Sequence, residues 1–265
     1  MKAASLVCLA ASLAGVRAET NLERGKRVVD QAIAALGGET FLHMQDRVES
    51  GRAYSFYRER LSGLSIAKIY TRYLIRPEPP VSGFLGVRER QAFGKKEDSA
   101  ILFAEGKGFD ITFRGARPLD DDVIERFRES TLRNVFYILR MRLGEPGMII
   151  ESRGSDVVEN QPVDIVEITD LDNRAITVYF NQTTHLPARQ MTKRQDTKTK
   201  DQNMEVTRYS NYRETNGVKW PCAILRERNG EKIFQMFSDS VEVNVDLKDN
   251  LFMLPADMKI LPKPK

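Results

Sequence analysis

The 265 residues include 41 lysines and arginines against 37 acids, a formal charge of +4, with 41% hydrophobic residues and two cysteines. The positive residues are scattered among the acids instead of gathering on one face, which argues against nucleic acid as a partner. A chain of this length can bury a core without metal or disulfide support, as one large β domain or as two small domains.

Met1 to Ala18 reads as a cleavable secretory signal: Lys2 is the positive start, Leu6 to Val16 the apolar stretch, and Val16-Arg17-Ala18 precedes the expected cut before Glu19. The apolar stretch is too short to span a bilayer, which takes about 20 residues. Cleavage after Ala18 removes Lys2 and Arg17, lowering the charge from +4 to +2. It also removes Cys8, which is set aside as a lipidation site because Ser5-Leu6-Val7 lacks small residues before it. Cys222 is then the only thiol, so no intramolecular disulfide is expected. The mature chain is expected outside the cytoplasm.

In chain order, Val28, Val29, Ala32, Ile33 and Leu36 recur at helical spacing, and Gly37-Gly38 supplies a left-handed stop. From Val48 the period becomes two: Tyr54, Phe56 and Arg58 alternate with Ala53, Ser55 and Tyr57. After the Ser62-Gly63 turn, Ile69, Thr71, Tyr73 and Ile75 form one side of a second strand. Arg76 to Gly86 cannot hold a ladder because of its prolines and glycines, so it is expected as a loop carrying Phe84 and Leu85. Short strands are expected at Ile101 to Ala104 and at Phe109 to Phe113. A long helix is then expected from Asp122 to Leu143, with Ile124, Phe127, Thr131, Val135, Ile138 and Leu139 as its stripe. Asp120-Asp121-Asp122 caps its start, and Arg140 and Arg142 stand at its negative end.

The remainder reads as strands: Met148 to Glu151, Val163 to Thr169, Ala175 to Phe180, Ala188 to Arg194, Glu205 to Arg213, Ala223 to Arg228, Glu231 to Ser238 and Val241 to Val245. Turns are signalled at Asp172-Asn173, Asn216-Gly217 and Asn229-Gly230. The Gln195 to Asn203 run is expected as a long hairpin loop and Lys259 to Lys265 as a frayed tail. With no repeat and no linker, one domain over residues 19–258 is expected. Its fold class is mainly β with α, an incomplete antiparallel barrel, or strongly curved sheet, covered by helices.

Chemistry-bearing patterns are sparse. His43 and His185 are not at metal-ligand spacing from each other or from Cys222, so no metal is expected, and both read as turn residues. The acidic triplet at 120–122 is accounted for by helix capping. Neither a nucleophile elbow, nor a phosphate loop, nor a dinucleotide fingerprint occurs, and no cofactor is expected. A pair of carboxylates from distant strands, as in a glycosidase, would leave no local pattern. What stands out is a set of large apolar strand residues placed to line the inside of a curved sheet: Tyr54, Phe56, Ile69, Tyr73, Val178, Phe180, Phe234 and Met236, with Phe127 and Val135 above them. Phe84 and Leu85 are expected at the rim or in a lid. Any one of these serves equally as ordinary core; as a group they fit a ligand-filled half-barrel.

The opening helix ending in Ala35-Leu36-Gly37-Gly38, and the closing phrases Asn216-Gly217-Val218-Lys219-Trp220-Pro221 and Leu251-Phe252-Met253-Leu254-Pro255, resemble the bacterial outer-membrane lipoprotein-sorting proteins, the LolA/LolB-like carriers. The resemblance implies an incomplete barrel with a hydrophobic cavity that receives lipid or lipoprotein acyl chains in the periplasm, without catalysis. Envelope membrane proteins are further implied partners. Two other readings are an envelope hydrolase of β fold and a protein-interaction scaffold that binds through a sheet edge.

Overall fold

The structure is a computed structural model, and it describes residues 18–75, 77, 84–195 and 201–263. The expected leader up to Arg17, residues 78–83 of the expected loop, most of the 195–203 run and the last two residues of the tail lie outside them. Thr20 and Glu23 exchange side-chain and backbone hydrogen bonds as a capping box, which starts helix α1 (Asn21–Leu36), and Gly37 at φ 130° stops it. A single turn, α2 (Glu39–Leu42), leads into β1 (Asp46–Tyr57), β2 (Arg60–Tyr73), β3 (Val87–Phe93), β4 (Ser99–Ala104), β5 (Lys107–Thr112) and β6 (Gly115–Pro118). Helices α3 (Asp121–Leu132) and α4 (Val135–Tyr137) follow, the latter continuing as a π-helical turn, Ile138–Arg142. Seven more strands complete the chain: β7 (Ile149–Val158), β8 (Gln161–Thr169), β9 (Ala175–Asn181), β10 (Pro187–Gln195), β11 (Gln202–Thr215), β12 (Val218–Arg228) and β13 (Glu231–Val243).

All 13 strands form one antiparallel sheet in the order β6-β5-β4-β3-β2-β1-β13-β12-β11-β10-β9-β8-β7. Two meanders, one from each half of the chain, are thus joined where β1 pairs with β13. The sheet is not closed, because β6 and β7 stand at opposite ends of the order. The expected incomplete barrel is therefore the observed architecture. The Asn216-Gly217 and Asn229-Gly230 hairpins hold both residues at positive φ, as their sequences predict.

Register shows that the two halves of the sheet bury opposite faces. On the inner face, Val166, Ile168, Ile176, Val178, Phe180, Tyr209, Val218 and Trp220 pack against Val28, Val29, Ala32 and Leu36 of α1, and against Val135, Phe136, Ile138 and Leu139. In the β1–β6 half the core lies on the other side. Val48, Tyr70, Ala92, Ala100, Leu102 and Ile111 are joined by Phe252, Leu247, Leu251, Leu254 and Met258 of the closing segment. Asp46, 3% exposed, secures that detour by accepting the Val245 and Leu247 backbone N–H groups at 2.7 and 3.0 Å.

Three departures from the sequence reading have local causes. The expected long helix breaks at Arg133-Asn134, because Gln190 of β10 accepts the Val135 N–H and donates to the Arg133 carbonyl, while Asn134 caps Tyr137. Asp120 stands at the N-cap of α3 without a side-chain cap bond; its carbonyl, not its carboxylate, takes the Val123 and Ile124 N–H groups. The Lys259–Lys265 tail is pinned through its described part, where Ile260 bridges Ala116 in parallel and Lys263 holds Asp121.

The helical layer is fastened to the β8–β9 turn by a buried ionic cluster. Arg142 donates to Asp170 at 2.8 Å, with side chains 7% and 5% exposed, and Arg174 bonds both Asp170 and Glu129. Burial opposes the charge on Asp170, but hydrogen bonds from Arg142 and Arg174 outweigh it and hold the carboxyl below its ordinary range. Its stabilisation is therefore full above the ordinary carboxylate range and is lost as pH falls through the lowered value. Asp170→Ala should cost about 3 kcal/mol in urea unfolding at neutral pH, because it removes the one carboxylate that Arg142 and Arg174 share and leaves Arg142, still buried, with Glu145 alone. At Gly25 the backbone of α1 lies directly on β7, where a Cβ would sit 2.8 Å from the Ile150 carbonyl oxygen and 2.9 Å from the Ser152 nitrogen. Gly25→Val should lower stability by about 1–3 kcal/mol or more in the same measurement.

Candidate functional site

The face switch leaves the inner face of β1–β5 without a packed core of its own. Register places Glu49, Ile69 and Gln91 side by side on it, then Gln91 beside Ile101, and Ala67 beside Phe93. Ile69, Phe93 and Ile101 are half-buried there, as is Phe234 on the adjoining β13, whereas the α1 residues that meet the sheet are 0–3% exposed. Helix α3 lies over the outer part of this region, with Phe127 stacked on Phe103 at 3.8 Å between ring centroids. None of its residues is buried, so α3 is a light cover fixed at its C-terminal end through Glu129.

The lining is amphiphilic rather than purely apolar. Arg47, 8% exposed, lies 4.0 Å over the Trp220 ring, donates to Thr71 at 3.1 Å and faces Glu49 at 3.7 Å. Glu49 is held in turn by the Ser238 hydroxyl. On β3, Glu89 accepts from Gln91 at 2.6 Å. Desolvation pushes the Glu89 carboxyl up, against the Gln91 bond and the nearby Arg47 and Arg226 guanidiniums.

The candidate lining set divides accordingly. Ile69, Tyr73, Phe234 and Met236 share the inner face, Met236 being closed off at 2% exposure. Phe127 sits at its border. Val135, Val178 and Phe180, at 0–1% exposure, are filled core under the helices and present no lining surface. Tyr54 is on the outer face: its neighbour Ala53 pairs with inward Met236, and its ring meets Phe237, 40% exposed, edge-on at 6.1 Å. Phe56 lies near the β1–β2 turn under the Lys232 ammonium. Phe84 and Leu85 pack at the helix end, where the Tyr137 hydroxyl donates to the Leu85 carbonyl and Phe84 approaches Gly86 beside Met141. Phe93 was not singled out by the sequence, since β3 carries charged and polar residues on both faces and no apolar period; Ile101 lay on an expected strand but was not assigned to the lining.

Of the strand arginines that could have crowded the interior, Arg52 pairs with Asp239 near the surface, and Arg72 bonds the Leu247 carbonyl and Asp249 under the outer core. His185 is a turn residue at φ 58° and His43 closes α2. Among the described residues no cluster of His, Cys, Asp and Glu could hold a metal ion, and no helix is long and apolar enough to cross a membrane. A separate cavity of 230 Å³ lies at the β5–β6 edge, lined by Asp110, Thr112, Phe113, Arg114, Arg117 and Leu261.

No protein-family model matches the chain, and no curated protein matches it. Among solved structures, it superposes on a domain assigned to the outer membrane lipoprotein-sorting proteins from Vibrio parahaemolyticus with a TM-score of 0.56. That match has 11% identity and covers 88% of this chain and 97% of that one. A DUF1329 family protein from Desulfovibrio piger gives 0.59 at 11% identity over 88% and 98%. A LolA superfamily protein from Nitrosomonas europaea gives 0.53 at 11% identity over 86% and 97%. The chain has the LolA/LolB-like fold.

The raised Glu89 carboxyl makes a sign-definite prediction. A folded-state value above the unfolded one favours the protein at low pH, and that contribution fades as pH climbs through the raised value. Glu89→Gln should therefore unfold at the same temperature as the parent or higher at pH 7, and should flatten the pH dependence above the ordinary carboxylate range. Calorimetric melts across that range measure it.

Proposed function

We propose that the protein is a non-catalytic carrier or sensor of the cell envelope that holds lipid or lipoprotein acyl chains against the uncovered inner half of its sheet. The supporting observation is the switch of core from inner to outer face, which leaves Ile69, Phe93, Ile101 and Phe234 half-buried on the inner face, with the lightly seated α3 over its β4–β5 end. Each methylene moved from water onto such a surface gains roughly 0.8 kcal/mol. A cover with no buried residue can lift without dismantling the core, which release of the guest requires. In this reading Phe84 and Leu85 are the rim, Ile69, Tyr73 and Phe234 the lining, and the chain works in the periplasm after losing its leader.

The paired carboxylates of a hydrolase are less well matched. Glu49 is tied to Ser238 and Arg47, and Glu89 to Gln91. A scaffold role is favoured by one observation: Leu64, Ile66 and Phe237 are 58%, 43% and 40% exposed together on the outer face beside Tyr54.

Native mass spectrometry of protein purified from a membrane-containing lysate should show co-purifying lipid, and Phe234→Asp should remove most of it without unfolding the chain. Lipid-free parent protein from the same lysate would refute the carrier role. Loss of binding on Leu64→Asp but not on Phe234→Asp would transfer the role to the outer face.

A further inference from the structure

Among the described residues, Arg140 is a half-buried cation without a counter-ion. Its guanidinium lies 4.2 Å from the Tyr73 ring centroid, donates to the Met44 carbonyl and touches the Met141 sulfur, while its Nε has no acceptor. Among the described residues no carboxylate pairs with it. Arg142, two residues on in the same π-helical turn, shows the contrast, because it holds both Glu145 and Asp170. Removing a guanidinium from water without an anion is costly, so an unpaired one of this kind needs an occupant of opposite charge.

The surroundings specify that occupant further. Tyr73 and Thr71 are successive inner-face residues of β2, and Thr71 receives the Arg47 guanidinium. Arg47 Nε and Trp220 Nε1 are also buried without acceptors. The Glu49 oxygen 3.7 Å from Arg47 Nε is beyond hydrogen-bond reach. All three orphan groups are N–H donors, so a phosphate or a carboxylate complements both their hydrogen bonding and the guanidinium charge, whereas a hydroxyl can accept but brings no charge and an ammonium cannot accept at all. Farther along β2 the same face turns apolar at Ile69 and Ala67, beside Phe93. From Tyr73 to Ser65 the strand covers roughly 27 Å at 3.3–3.4 Å per residue. That exceeds the roughly 15 Å an acyl chain spans in one leaflet, so a head at Arg140 leaves room for the tail.

We infer that the guest is an anionic amphiphile whose head group docks at Arg140, with Arg47 and Trp220 behind it and its chain directed along the inner face of β2. This inference rests on the carrier reading and narrows it to one class of cargo.

Trp220 is the only tryptophan in the sequence, so its fluorescence reports the site. The delipidated chain is titrated with dodecyl phosphate, dodecyl maltoside and inorganic phosphate, read by Trp220 emission and by calorimetry. Dodecyl phosphate should bind about tenfold tighter than the maltoside or better, as charge-assisted hydrogen bonds imply, and the preference should shrink with added salt. Arg140→Gln should cut it to below about threefold, whereas Arg140→Lys, which keeps the charge but not the planar fork, should retain part of it and its salt dependence. Equal binding of the two detergents by the parent overturns the inference and leaves the carrier reading standing. An undiminished preference in folded Arg140→Gln does the same. Should that variant fail to fold, the salt dependence and Arg140→Lys decide. Inorganic phosphate binding as tightly as dodecyl phosphate keeps an anion site but removes the amphiphile. Failure of both detergents to bind overturns the carrier reading itself.

Discussion

Burial of apolar side chains on opposite faces of two halves of one continuous sheet is the constraint that organises this molecule. From β7 to β12 the inner face is sealed by α1 and the 135–143 helical segment, with Leu36, Phe41, Val135 and Phe180 at 0–1% exposure. From β1 to β6 the closing segment covers the outer face instead, with Phe252 at 2%. Each large apolar residue so buried stabilises by roughly 1.5–3 kcal/mol, so neither half can exchange faces cheaply. Among the described residues, the inner face of the first half is what this arrangement leaves without a core cluster.

Electrostatics divides along the same line. The cations that fasten structure are paired: Arg142 and Arg174 with Asp170, Arg24 with Asp164, Arg208 with Glu159 and Glu227. Around the uncovered inner face the pairing is partial: Glu89 is raised, and Arg47, Arg140 and Trp220 keep N–H groups without acceptors, as the Nε of Arg24 and of Arg133 does elsewhere. An apolar core would have excluded such groups. Their coexistence with Ile69, Phe93 and Phe234 gives the surface two characters along a single strand.

The legible part of the sequence is the part in which one face is greasy and the other wet. The α1 stripe, the β1–β2 hairpin, the Asn-Gly turns and the run of strands from Val163 onward all carry that contrast, and the fold class followed from it. The strand β3 did not, because Arg88, Glu89, Arg90 and Gln91 put polar groups on both faces and hid a strand lying at the heart of the candidate site. Val178 and Phe180 are indistinguishable in sequence from Ile69 and Phe234. Only the seating of α1 across the second half of the sheet makes the former core and leaves the latter half-open. The break at Asn134 was equally invisible, since it depends on a Gln190 amide arriving from 55 residues away.

The incomplete barrel has two free margins, and neither is left as a flat template for another chain. The four-residue β6 ends in Pro118, and the Ala116 backbone is already engaged by Lys259 and Leu261. The β7 margin is kinked by a bulge between Ser152 and Gly154, which spoils the even spacing that strand addition requires. An open sheet of 13 strands thus gives a visiting peptide little ladder to extend at either rim.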